Sequence, residues 1–178
     1  MLAAIPIGLI LGRLLGGQLD GLVALRFRWS ALAVAGLVVQ LALFTEAGHA
    51  LAGGMAPAIY VLSTAAVLVA VLANFRVEWM PVVTLGAASN LAAIVANGGA
   101  MPTTIAALAA AGLEGPGTAT NSVVLENPVL GALTDVYAIP AGIPLANVFS
   151  IGDVLIAIGI AAVIASAMRS AAPRAGSS

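Results

Sequence analysis

RVEWMPVVTLGAASNLAAIVANGGAMP, residues 76–102, carries the features that decide the fold. Arg76 is the last strongly basic residue before Arg169. Behind it, Met80–Ala96 is an uncharged apolar run of helical length. Asn97-Gly98-Gly99-Ala100-Met101-Pro102 then ends that run. Glycine accepts the positive φ of a helix C-cap, and proline cannot resume a helix. The stretch therefore reads as one apolar helix, anchored at a basic end and stopped at an end that leads into a segment without arginine.

Working outward, four similar runs appear: Leu2–Leu19, Ser30–Gly48, Ala56–Asn74 and Ser150–Met168. Of the 178 residues, 62% are hydrophobic and 7% charged, and the mean hydropathy is +1.14. Soluble domains carry about a quarter charged residues, so the expected solvent for most of this chain is a bilayer. A spanning helix needs about 20 apolar residues and satisfies its own backbone in lipid. No period-two alternation suggests a transmembrane barrel. The expected fold class is all-α: a polytopic membrane helix bundle of about five transmembrane helices, with a folded or re-entrant external segment before the last.

The arginines orient it. Arg26 and Arg28 lie between the first two runs, Arg76 between the third and fourth, and Arg169 and Arg174 after the fifth. Five crossings put all three groups on one side and leave Glu46, Glu114, Glu126 and Asp135 on the other; four crossings would split them. The positive-inside rule then puts the N-terminus outside and the C-terminus in the cytoplasm, in a bacterial cytoplasmic membrane. Met1–Leu11 lacks a basic n-region, and Arg13 follows the apolar stretch, so this reads as a retained first helix rather than a signal peptide. Residues 1–169 are expected to form a single integral membrane domain, and 170–178 a disordered cytoplasmic tail.

Residues 97–149 are too long for an ordinary connection. Thr103–Leu113 is a short helix candidate, EGPGTATNS (114–122) is turn-rich, and VLENPVLGALTDVYAIPAGIPLANVF (124–149) is apolar but broken by Pro128, Pro140 and Pro144. Those prolines oppose a sixth spanning helix, and the apolar content opposes a solvated loop. A cap lying on the external membrane surface, or partly re-entrant, fits both. At its far end Ser150 and Asp153 have the S-x-x-D spacing of a capping box.

Gly8, Gly12 and Gly16 recur every four residues, as do Ala157, Ala161 and Ala165. Both sets read as helix-packing faces, within the chain or in a homodimer. Arg13 reads as snorkelling toward the headgroups, with Asp20 its partner if the first helix continues. Gln40 and Asn90 read as interhelical hydrogen-bonding residues. Arg26-Phe27-Arg28-Trp29 and Arg76 with Glu78 and Trp79 read as interfacial anchors.

The composition also excludes much. The chain has no cysteine, so it has no disulfide or thiol chemistry, and its one histidine, His49, rules out a bis-histidine haem from this chain alone. No aromatic-basic interleaving points to nucleic acid. HExxH, GxSxG and paired-aspartate metal motifs are missing. Asp135, Asp153, Glu126 and His49 are the only candidates for acid-base catalysis expected outside, and their spacing specifies no catalytic or metal site. No catalytic residues, cofactor or metal are expected. A ligand, if one binds, is expected where the two motifs bracketing the cap converge: Asn97, Gly98, Gly99, Met101, Pro102, Asp135, Asn147, Ser150 and Asp153.

Three stretches, NGGAMP (97–102), LTDVYAIP (133–140) and NVFSIGDVLI (147–156), resemble a bacterial multi-span membrane-protein family with a domain of unknown function. GLILGRLLGG (8–17) and RFRW (26–29) are similar to its N-terminal part. The resemblance covers Met1 to about Arg169. It implies several spans and an external segment before the last helix, and it carries no established reaction or cofactor.

The expected function is that of a non-enzymatic integral membrane protein, a scaffold or accessory subunit of a membrane complex. Its partners would be membrane lipids and other membrane-protein subunits or a second copy of itself. The alternative is a small transporter, or a lipid- or small-molecule-binding protein, with its site at the external junction. A membrane enzyme is the reading with the least support.

Overall fold

A computed structural model describes residues 3–113 and 122–170. The tail 171–178, with Arg174, and most of the 114–122 stretch, with Glu114, lie outside the described residues. The fold is mostly helical: α1 (Ala4–Leu14), α2 (Asp20–Ala24), α3 (Ser30–Leu43), α4 (Glu46–Ala52), α5 (Ala56–Leu72), α6 (Met80–Ala96), α7 (Ile105–Ala111) and α8 (Ile151–Ser170). Four three-residue strands correct the all-α expectation: β1 (Met101–Thr103), β2 (Ser122–Val124), β3 (Tyr137–Ile139) and β4 (Asn147–Phe149). Strand β1 pairs in parallel with β2, and β3 pairs antiparallel with β4. Prolines barred a helix here, and Val123, Val124, Tyr137 and Phe149 suit extended backbone.

Two helices are long and apolar enough to cross a membrane: Ile151–Ser170, and Glu46–Leu72, which runs through a 3-10 turn at Gly53–Met55. The other apolar helices are shorter, with 11 residues in α1, 14 in α3 and 17 in α6. Two stop before the expected ends. The first helix ends at Leu14 rather than Leu19, because Gly16 turns the chain with φ +79°. Asp20 therefore belongs to a separate helix, and the Arg13 guanidinium donates instead to the Gly17 carbonyl. The second helix ends at Leu43 rather than Gly48. Thr45 donates to the Ala42 carbonyl and accepts from the Gly48 amide, closing α3 and capping α4.

The long helices pack side by side in the order α1, α8, α6, α5, α3. Small residues set the close approaches. A Cβ on Gly8 would stand 2.8 Å from the Ala161 carbonyl oxygen, and one on Gly12 would run into Met168. Gly16 is exposed, with nothing within 4 Å of its Cβ position. This corrects its place in the packing face, which Gly17 and Gly21 continue against Ala167 and Met168. On α8, Ala161 and Ala165 are buried and Ala157 is half-buried. At the other end of the row, Gly36 of α3 sits on Ser63 and Val67 of α5, and Gln40 donates to Thr64 at 3.3 Å.

The ends of the row differ chemically. One gathers Arg13, Arg26, Arg28, Arg76 and Arg169, along with Asp20 and Glu78, at the C-terminal ends of α1 and α8 and in the segments that join α1 to α3 and α5 to α6. The other gathers Glu46, Glu126, Asp135 and Asp153, together with α4, α7 and the strands. At that acidic end Tyr60, Ile94, Leu43 and Met101 form an apolar core, with Phe44 edge-on to Tyr60 at 5.6 Å.

Candidate functional site

The acidic end brings the two bracketing motifs together. Helix α6 closes with both bonds of a Schellman turn: the Gly98 amide donates to Val95 at 3.3 Å and the Gly99 amide to Ile94 at 2.9 Å. Gly98 and Gly99 have φ of +74° and +89°, and Gly99 lies so close to Pro57 of α5 that a Cβ would clash. Asn97 is fully engaged. Its amide nitrogen donates to the Ala93 and Val129 carbonyls, each at 2.8 Å, and its oxygen accepts from the Val129 amide at 2.9 Å. It thus pins the cap loop to the end of α6 rather than facing a ligand.

Met101 and Pro102 are buried in β1. Pro102 has no N–H to give, but its carbonyl accepts from the Asp135 amide at 2.9 Å. The Thr103 hydroxyl, fully buried, donates to the Asp135 carbonyl at 2.8 Å. Strand β1 therefore lies between β2 on one side and Asp135 on the other.

Ser150 and Asp153 form the expected capping box. The Ser150 hydroxyl accepts from the Asp153 amide at 3.1 Å, and the Asp153 carboxylate accepts from the Ser150 amide at 3.2 Å. A third residue completes it. Asn90, from α6, accepts from the Ser150 hydroxyl at 2.9 Å and donates to Asp153 Oδ1 at 2.8 Å. Gly152 leaves the room for this contact, since a Cβ there would overlap the Asn90 amide. Asn147 stands apart, exposed at the start of β4, with its oxygen on the Val148 amide.

Two buried polar atoms have no hydrogen-bond partner among the described residues: Ser89 Oγ and Asp135 Oδ1. Burial, and then the nearby Asp153 carboxylate, push Asp135 up to about 7. Two acids share one low-dielectric corner, and Asp153, already holding donors from Asn90 and Ser150, is the one provided for. Beside this corner is a cavity of about 100 Å³, lined by Phe44, His49, Pro57, Tyr60, Gly99 and Ser122 among others. No local signal marks Tyr60 or Thr103 for this place: each is a single residue in an apolar context, and only long-range packing makes it a neighbour. Among the described residues, no group of three or more His, Asp or Glu is arranged to hold a metal ion.

Fold and site define a predominantly helical protein with a small strand-containing cap at its acidic end. The chain belongs to the Family of unknown function (DUF5317), which matches residues 24–165 and so takes in every residue of this site. No curated protein and no solved structure matches it.

Proposed function

We propose that this protein is a five-span integral membrane protein, with its arginine end cytoplasmic and its acidic cap external, and that it serves as a non-enzymatic scaffold or accessory subunit of a membrane complex. The observation that carries the reading is the open row of helices. Even in the middle of the row, Leu62 of α5 is 69% exposed and Leu85 of α6 is 61% exposed. Edge helix α3 leaves Leu32, Val34, Leu37, Val38, Val39 and Leu41 all exposed. Contiguous apolar surface on this scale requires lipid or a partner. Helix α8, and α5 within the segment Glu46–Leu72, have the length to span; on this reading α6, at 17 residues, sits at the short end of a range of about 17–25, and α1 and α3 would span only with the turns that follow them.

The cap supports a structural role. Asn97, Ser150 and Asp153 spend their polar atoms on one another, on Asn90 and on backbone. A ligand pocket has roughly 300–1,000 Å³, and the cavity beside them has about 100 Å³.

Two measurements test the proposal. The chain has no native cysteine, so single cysteines at Glu126 and Glu78 report topology directly. A membrane-impermeant maleimide should label the first in intact cells and the second only after permeabilisation; the reverse pattern sinks the orientation. Native mass spectrometry after mild-detergent purification from cells at natural expression should show a stoichiometric partner subunit or a second copy. A lone chain in every detergent would sink the scaffold reading.

A small-molecule site at the acidic end is the second reading, favoured by the unpartnered Asp135 Oδ1. A ligand there would be only a few heavy atoms in size. A thermal-shift screen of small polar metabolites, run on the parent and Asp135→Asn, tests it: stabilisation of the parent alone is expected, and no stabilisation overturns it.

A further inference from the structure

We infer that the arginine end holds a built site for a phosphate-bearing anion, either a free phosphate group or the headgroup of an anionic lipid. This goes beyond the scaffold reading and stands independently of it. The turn before α3 supplies Arg26 and Arg28, and the turn between α5 and α6 supplies Arg76. All three line one cavity of about 540 Å³ with Asn74, Phe75 and Val77. Its volume falls within the range of small-molecule sites, roughly 300–1,000 Å³.

Asn74 joins the two turns. This buried side chain donates to the Arg28 carbonyl at 2.8 Å and to the Ala70 carbonyl at 2.7 Å, and accepts from the Arg28 amide at 2.8 Å. The clasp uses the backbone of Arg28, so it consumes none of the guanidinium donors. Sequence alone explains arginines scattered at a cytoplasmic interface. It does not explain why Arg26 and Arg28 from one turn and Arg76, 48 residues beyond Arg28, from another line one cavity. Three like charges lining one cavity repel, and an anion bound among them relieves that repulsion. Glu78, the nearest carboxylate in sequence to Arg76, is exposed and does not line the cavity. Guanidinium groups bind phosphate through two parallel N–H donors, which suits phosphate better than a diffuse charge does.

The test uses the delipidated full-length protein in neutral detergent. Inorganic phosphate is titrated by thermal shift, and phosphatidylglycerol and phosphatidylcholine are titrated separately by native mass spectrometry. Saturable binding of phosphate, or of phosphatidylglycerol in preference to phosphatidylcholine, is expected. Binding of both means that the phosphate group suffices; binding of the lipid alone identifies the headgroup as the source. Loss of a charge-assisted pair of bonds predicts affinity falling about tenfold or more in Arg28→Gln and Arg76→Gln. Arg169→Gln, a charge at the same end but outside the cavity, should change it by less than about twofold. Arg76→Lys keeps the charge and the fold but loses the fork, and should still weaken binding several-fold. Equal binding of the two lipids together with no saturation by phosphate overturns the site. So does an Arg169→Gln loss as large as that of Arg28→Gln.

Discussion

Asn90 of α6 donates to Asp153 of α8 at 2.8 Å while accepting from Ser150, so one amide side chain closes the capping box of a helix 60 residues away. The pair ties together two neighbouring interior helices of the row, α6 and α8.

Removing that amide leaves a buried hydroxyl and a carboxylate oxygen without their partners. Asn90→Leu, which keeps the branched heavy-atom skeleton, should lower stability by about 2–4 kcal/mol, because each unsatisfied buried polar group costs about 1–3. Ser150→Ala should cost about 1–2 kcal/mol, the usual loss of an N-cap. Thermal denaturation in detergent measures both. An Asn90→Leu variant as stable as the parent would show that the bridge contributes nothing.

Three glycines make a graded prediction, Gly8 inside the α1–α8 seam and Gly16 and Gly54 outside it. A side chain at Gly8 meets the Ala161 backbone oxygen at 2.8 Å, and no rotamer relieves a Cβ clash with backbone. Gly8→Leu should therefore cost about 3 kcal/mol or more. Gly16→Ala meets no atom but requires φ of +79°, a cost of about 1 kcal/mol. Gly54→Ala meets nothing and lies outside the left-handed region, so it should stay within about 0.5 kcal/mol. The ranking is read from melting midpoints, and a Gly8→Leu variant as stable as Gly54→Ala would contradict the seam.

Asp135 makes stability depend on pH. Its folded value is pushed up from 3.8 to about 7 by burial and by Asp153, so the folded chain binds a proton that the unfolded chain has released. This contribution is fully present in acid, falls as pH rises between about 4 and 7, and is absent above about 7. Asp135→Asn should flatten that window and gain on the order of a few kcal/mol over the parent at about pH 8. Melting curves across the window decide it: if parent and variant run parallel, Asp135 is not the group responsible.

Leu145 sits at φ +68° and is 64% exposed. A leucine there carries left-handed strain with little packing in return, whereas asparagine accepts that region. Leu145→Asn should raise stability by about 0.5–1 kcal/mol. A lower melting midpoint would mean that the exposed side chain meets something apolar, lipid or partner.

The positions of the long helices were legible because long uncharged apolar runs have one economical way to satisfy their backbone. Met80–Ala96 begins and ends where its sequence says, with Trp79 before it and Asn97-Gly98-Gly99 after it. Thr45 is a subtler local cue: a threonine inside an apolar run can stop one helix and start the next. The strands of the cap were not legible. The pairing of Met101–Thr103 with Ser122–Val124, and of Asn97 with Val129, depends on which backbone groups meet across some 20 to 30 residues, and composition carries no record of register.

By itself, then, the sequence determined the helical character, the stop after Ala96, the capping box at Ser150 and the long stretch without arginine between Arg76 and Arg169. All of these follow from local backbone chemistry and the cost of burying charge. Only the tertiary structure decided the order of the helices, the closure of the box by Asn90, the burial of Asp135 Oδ1 with no partner among the described residues and the gathering of Arg26, Arg28 and Arg76 around one cavity. Those are meetings of side chains distant in sequence, and their energies exist only once the helices have packed.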